Sequence, residues 1–422
     1  MGSTSGVRRL GRFLYTQNPF YLLSCFLVIY GLQIATVSQV DLVSRSVFLA
    51  GGIGLYTLLM VLTTIGVIRL GKVWDDGRSI LLVVAISLVA LSTSLDELCL
   101  IDPTTALSIA IAGLLGSIIA TESVLRACRI VLPFWYRASY CAMLFVFFAT
   151  PVGLGRAVAE RHESIANWGA VIFSCLFSAA ILILIPAVKQ GRSSVRSNGT
   201  PWRWPLYPLS LFVILIVLAG IRTHAIWMSF GFIGETLGFE PFLLMPMFAA
   251  LLILAVEHDV HRRRPRWSTA ALLAAPVLLL CGLSQNGMTS LPIRQDLQYA
   301  AGSATTLALV VLATFYAYAW LRGVRHSEHA LVGSLLSVGF FADVPTALVG
   351  TGFQPYVFVM LAALFYLILA IAEWHSDVRW FAFASLASVA IAMAGPTLGD
   401  PTTGYLASSS FLIASFLTIG CL

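Results

Sequence analysis

Charge is what this sequence has least of. Of its 422 residues only 10% are Asp, Glu, Lys or Arg, where a soluble globular chain carries about 25%. Lysine is almost missing: of the 25 basic residues, all but Lys72 and Lys189 are arginine. Long polar stretches are also absent. The longest connection between apolar runs is Lys189 to Pro205, too short to hold an ATP-binding cassette, a kinase or a large catalytic domain outside the membrane. The seven cysteines, Cys25, Cys99, Cys128, Cys141, Cys175, Cys281 and Cys421, show no C-x-x-C spacing, which argues against a zinc or redox framework and for packing in apolar surroundings. Phosphate-cradling, dinucleotide, nucleophile-elbow and H-E-x-x-H motifs do not occur, so the familiar nucleotide-dependent and hydrolytic mechanisms have no foothold.

What is present is apolar. Hydrophobic residues make up 59% of the chain and the mean hydropathy is +0.91. At about 20 residues per crossing, such a chain accommodates 13 or 14 spans. Apolar runs place them at 21–38, 47–69, 79–96, 105–125, 138–155, 167–188, 206–222, 241–256, 268–284, 299–321, 330–350, 355–373, 379–396 and 404–421. The expected fold class is therefore all-α, a polytopic transmembrane bundle of about fourteen helices with no soluble domain. With the N-terminus inside, 20 basic residues fall on inner segments and five, Arg45, Arg156, Arg161, Arg222 and Arg294, on outer ones. A missed or invented span would scramble that alternation downstream, so the bias predicts cytoplasmic N- and C-termini. The net charge of +6 has the same explanation, and no nucleic-acid partner is expected. The basic stretch 189–205 is the expected linker between an N-terminal bundle (1–188, about six helices) and a C-terminal bundle (206–422, about eight). Between Arg222 and Pro241 the Gly- and aromatic-rich segment 223–240 reads as an outer loop packed in the interface.

Ionisable groups inside a bilayer are costly, which makes them the first functional candidates. Asp343 is the deepest by this count, in Gly339-Phe-Phe-Ala-Asp343-Val-Pro345, where Pro345 cannot donate a helical hydrogen bond. A carboxylate beside a broken turn suits a proton or cation; the competing reading is a carboxylate capped by a neighbouring helix. Asp96 and Glu97 close span 79–96 and read as outer helix-end charges, able to attract cations. Glu122 lies four residues before Arg126, in the favourable order for a helical ion pair. Arg222 closes span 206–222 and Glu235 lies in the outer loop that follows, where Arg222 suits an anionic group or simply snorkels to the headgroups. Two H-x-x-H pairs, His258/His261 and His326/His329, share a helix face and are weak candidates for metal ligands; helix ends at the interface are the ordinary explanation. No cofactor is expected.

Residues Leu14-Tyr-Thr-Gln-Asn-Pro-Phe-Tyr-Leu-Leu-Ser24, with Tyr30-Gly31-Leu32, Val73-Trp-Asp-Asp-Gly-Arg-Ser-Ile-Leu-Leu-Val-Val84 and Leu95-Asp-Glu97, resemble a functionally uncharacterised group of polytopic proteins predicted from planctomycete-type bacterial genomes. The resemblance covers mainly residues 14–156. It implies a bacterial inner-membrane address and carries over no activity or catalytic residue.

Three classes of function fit these features. The first is a secondary carrier or flippase for a small or lipid-linked solute, coupled through Asp343. The second is a non-catalytic scaffold or sensor subunit with a protein partner the sequence does not name. The third, and least favoured, is a membrane-embedded enzyme acting on a lipid or quinone. The bilayer itself is the one partner common to all three.

Overall fold

The computed structural model describes residues 20–37, 41–204, 206–230, 241–262, 266–283, 291–348 and 356–373. These residues are helical, with no strand among them. Eight helical stretches are long and apolar enough to cross a membrane: Leu42–Arg69, Trp74–Ile101, Pro103–Ala127, Phe134–Ala159, Gly169–Val195, Leu206–Phe230, Pro241–His261 and Ala304–Leu321. By length and composition this is a membrane protein.

The chain divides into two compact units, Met1–Gly234 and Glu235–Leu422. The first holds α1 (Phe20–Val37), α2 (Leu42–Arg69), α3 (Trp74–Thr93), α4 (Asp96–Ile101), α5 (Pro103–Ala127), α6 (Phe134–Ala159), α7 (Glu163–Asn167), α8 (Gly169–Leu182), α9 (Ile185–Gln190) and α10 (Leu206–Phe230). The second holds α11 (Met245–Arg262), α12 (Arg266–Ala274), α13 (Val277–Leu283), α14 (Leu291–Ala301), α15 (Ala304–Leu321), α16 (Ser327–Phe341) and α17 (Tyr356–Glu373).

The first unit has aliphatic rows on its outside, and its interior mixes large apolar side chains such as Phe147, Phe173 and Leu88 with small hydroxylated ones. On α5 the exposed row is Leu107, Ile111, Leu115 and Ile119; on α10 it is Leu209, Val213, Val217 and Ile221. Four-residue spacing keeps each row on one face, and that face is aliphatic. Small and hydroxylated residues turn inward instead, Ser46, Ala50, Thr57 and Thr64 on α2, and Ser79, Ser87 and Ser92 on α3. Thr57, Thr64, Ser87 and Ser92 donate back to carbonyls of their own helices, Thr57 to that of Ile53 at 2.8 Å and Ser87 to that of Val83 at 2.9 Å, while the buried Ser46 hydroxyl has no partner. Such back-bonding satisfies a hydroxyl that is taken out of water, and small side chains let backbones approach.

Two aspartates start long helices. Asp41 accepts from the Val43 and Ser44 amides ahead of α2, and Asp102 from those of Thr104 and Thr105 ahead of α5, satisfying donors that a helix N-terminus leaves open. The Thr104 and Thr105 hydroxyls add bonds of 2.6 and 2.5 Å, and together these hold the Asp102 carboxyl down at about 2.

The first twelve expected spans each overlap helical segments, the one at 330–350 only as far as Phe341, and the last two, 379–396 and 404–421, lie outside the described residues. Several differ in detail. Span 167–188 is two helices, α8 and α9, parted at Ile183–Leu184 just before Pro186. Span 268–284 is likewise parted at Ala275–Pro276, where the proline supplies no amide. The segment expected as a loop at 223–240 is helical as far as Phe230, and its remainder lies outside the described residues. Of the stretch 189–205, expected as a linker, residues 189–204 belong to the first unit and pack on it: the Val131 amide donates to the Asn198 carbonyl at 2.8 Å, and Trp202 meets Trp74 edge-on at 5.5 Å. Helix α10, which follows that stretch, packs against α8 and α3.

Candidate functional site

The first unit closes around one ion pair. Helix α3 stops at Thr93 in a run of three hydroxyl residues. Ser92, Thr93 and Ser94 each donate a side-chain bond to a carbonyl three residues back, those of Val89, Ala90 and Leu91, at 2.7, 2.7 and 2.8 Å. These side-chain bonds compete with the helical ladder and satisfy carbonyls that its interruption would strand. The chain then resumes as the short helix α4, beginning at Asp96. Helix α4 lies tight against α6: a Cβ on Gly155 would sit 2.2 Å from the Cys99 carbonyl oxygen, so only glycine fits there.

This break carries Asp96 inward. Its residue is 7% exposed, and it faces Arg222 of α10, which is 1% exposed. The guanidinium grips the carboxylate with both terminal nitrogens, Nη2 to Oδ1 at 2.5 Å and Nη1 to Oδ2. Ser229, farther along α10, donates to Oδ2 at 3.5 Å. The Arg222 Nε is buried and has no hydrogen-bond partner. Fork-on-fork geometry is the strongest form of this contact, yet burying both charges costs several kcal/mol per ion and makes such a pair a poor source of stability.

The sequence reading put Asp96 and Glu97 together at an outer surface and Arg222 at a helix end. The structure separates the first two: Glu97 is exposed and Asp96 is buried. It also puts Arg222 well inside α10, which runs on to Phe230. Glu122 makes the expected pair with Arg126 at 3.7 Å, and a closer one with Arg137 of α6 at 3.3 Å. Glu235 lies outside the described residues.

Asp343 is not inside a helix. The span expected at 330–350 ends at Phe341, and the chain runs irregularly from Ala342 to Pro345. Asp343 is exposed there, its amide donating to the Thr306 hydroxyl at 2.8 Å. Gly302, at φ +80°, lets its backbone pass the Asp343 carbonyl, which a Cβ would meet at 2.3 Å. The break beside Pro345 is real; the burial expected for the carboxylate is not found.

Two clusters in the second unit went unread in the sequence. Glu257, 1% exposed in the last turns of α11, accepts from the Tyr318 hydroxyl at 2.5 Å and from Arg322 Nε and Nη2 at 2.5 and 2.9 Å. The signal was a glutamate late in an apolar run, with an arginine just past another. Next to it, buried Asp259 accepts from the Ser268 amide at 2.7 Å at the start of α12 and lies 3.3 Å from His258 Nδ1. His261 is exposed. Among the described residues, His326, Glu328 and His329 bring one ligand atom each within 4.8 Å of one another.

Compared with models of known protein families, with curated proteins and with solved structures, the chain matches none.

Proposed function

We propose that the protein is a secondary carrier or flippase of the bacterial cytoplasmic membrane, with about fourteen spans and both termini inside, moving a small or lipid-linked solute. The observation that supports this reading is the interrupted helix α3–α4, which presents a buried carboxylate to an arginine on a distant stretch of chain. Discontinuous helices with a charged group at the break are how many carriers build a site at membrane depth. A buried pair that adds little stability has a reason to exist if it parts and re-forms between two states. Asp343, expected as the coupling carboxylate, is exposed, and that role passes to Asp96. The alternating loop charge supports the orientation, and the resemblance of residues 14–156 supports the address.

The test is reconstitution of the full chain into vesicles. Flippase activity is read from dithionite bleaching of a fluorescent phospholipid, and proton coupling from a trapped pH dye with candidate solutes added outside. Flux above that of empty vesicles, lost in Asp96→Asn while the protein remains folded, is the expected result. Vesicles no leakier than empty ones in both assays, or flux indifferent to Asp96→Asn, would remove the carrier reading and leave the pair as a structural clasp.

A further inference from the structure

We propose that His326, Glu328 and His329 form a binding site for a borderline divalent metal ion, with Zn²⁺ the chemical type, at the start of α16. The site lies in the second unit and stands independently of the carrier reading.

The backbone builds it first. The chain leaves α15, turns through Gly323 at φ +71°, and reaches His326 at φ +66°. His326 thus holds a left-handed conformation that glycine or asparagine adopts more readily. It occupies the N-cap position of α16 but makes no side-chain capping bond. Capping therefore does not explain a histidine here, although the left-handed turn tolerates one. What the turn achieves is to lay the His326 ring alongside that of His329, with centroids 6.5 Å apart and planes 23° from parallel.

The second observation is an orienting contact. Tyr366, fully buried on α17, has its hydroxyl 3.2 Å from His329 Nδ1. Metal-binding histidines are characteristically fixed through the ring nitrogen that does not bind the ion. With Nδ1 held by Tyr366, Nε2 is the ligating atom, and it lies 3.9 Å from Glu328 Oε1. Two imidazoles and one carboxylate are a borderline-soft donor set of the kind that binds zinc with a fourth position open to water. Ligand atoms within 4.8 Å need only side-chain rotation of Glu328 and His326 to reach a common ion. Glu328 supplies the negative charge that a cation at a helix N-terminus requires, and nearby Arg322 is already committed to Glu257.

The experiment uses the full chain in nanodiscs, purified without a polyhistidine tag and titrated with Co²⁺ alone, followed by its visible absorption and by calorimetry. One Co²⁺ per chain, displaced by Zn²⁺, is expected. His326→Gln and His329→Gln should each weaken binding by about 100-fold or more, and Tyr366→Phe by about tenfold. His258→Gln and His261→Gln should leave it unchanged. Glutamine keeps size and polarity, so loss of Co²⁺ with unchanged thermal unfolding separates a lost ligand from a misfolded chain. Absence of saturable one-to-one binding, or binding that survives in the His326→Gln/His329→Gln double variant, would overturn the site.

Discussion

Among the described residues, each unit has a buried carboxylate gripped by an arginine, and the two grips differ in where the cation stands. In the first, the Arg222 side chain has no exposure at all, and Asp96 keeps 11%. In the second the balance is reversed: the Glu257 side chain is 1% exposed and Arg322 keeps 32%. Arg322 follows the last residue of α15, so its guanidinium retains solvent while it serves Glu257, and the Tyr318 hydroxyl shares the load. Arg222 has neither relief, and its Nε goes without a partner. One pair anchors helix ends at modest cost; the other holds two charges in the interior, with Ser229 adding one long bond to the carboxylate. Burial of the cation, more than the contact itself, separates an anchor from a functional candidate.

Breaking the Asp96–Arg222 pair from one side is the sharpest way to test that contrast. Arg222→Met leaves a buried carboxylate with nothing to face, and a loss of about 3–5 kcal/mol is expected, measured as denaturant unfolding in a fixed detergent. Adding Asp96→Leu should recover most of it while any flux stays lost. Next comes Gly155→Ala, whose methyl meets the Cys99 carbonyl; forcing α4 off α6 should cost about 1–3 kcal/mol and lower flux as well, because Asp96 moves with the helix. Glu257→Gln should cost less than Arg222→Met, about 1–2 kcal/mol, since Arg322 is free to turn to water. If thermal unfolding showed the two variants equally damaged, the distinction drawn here would collapse.

The smallest effect concerns Asp102, which lies between α4 and α5. Its carboxyl is held below its usual 3.8, at about 2, by hydrogen bonds from Thr104 and Thr105. A depressed carboxylate contributes stability above its unfolded value and loses that contribution as pH falls through the folded value. Asp102→Ala should therefore lower the unfolding temperature slightly at pH 5, with the difference from the parent chain vanishing near pH 2.

The helices were legible because apolar runs with capping aspartates mark their own limits: Pro103–Ala127 against an expected 105–125 is typical. The clasp was not. A hydropathy window ends at a charge, so span 206–222 was closed at the residue that lies at the heart of the longer helix. Asp96 was read as a helix end because α3 does end there, and nothing local says that the next six residues carry it inward. Pairing across 126 residues leaves no periodic trace. Helix α14 was missed for the opposite reason: Leu291–Ala301 is only half apolar, and a search for membrane spans passes over it.

That same separation sets a schedule for biogenesis. At roughly 5–20 residues per second, the ribosome delivers Arg222 some 6–25 s after Asp96. During that interval α3 and α4 have emerged and the carboxylate has no guanidinium to meet. The nascent protein must keep this segment beside water or the insertion machinery, or carry the acid protonated, until α10 arrives. Assembly of the first unit is thus completed by α10, and a ribosome stalled between the two leaves a half-made bundle in which Asp96 still lacks its guanidinium.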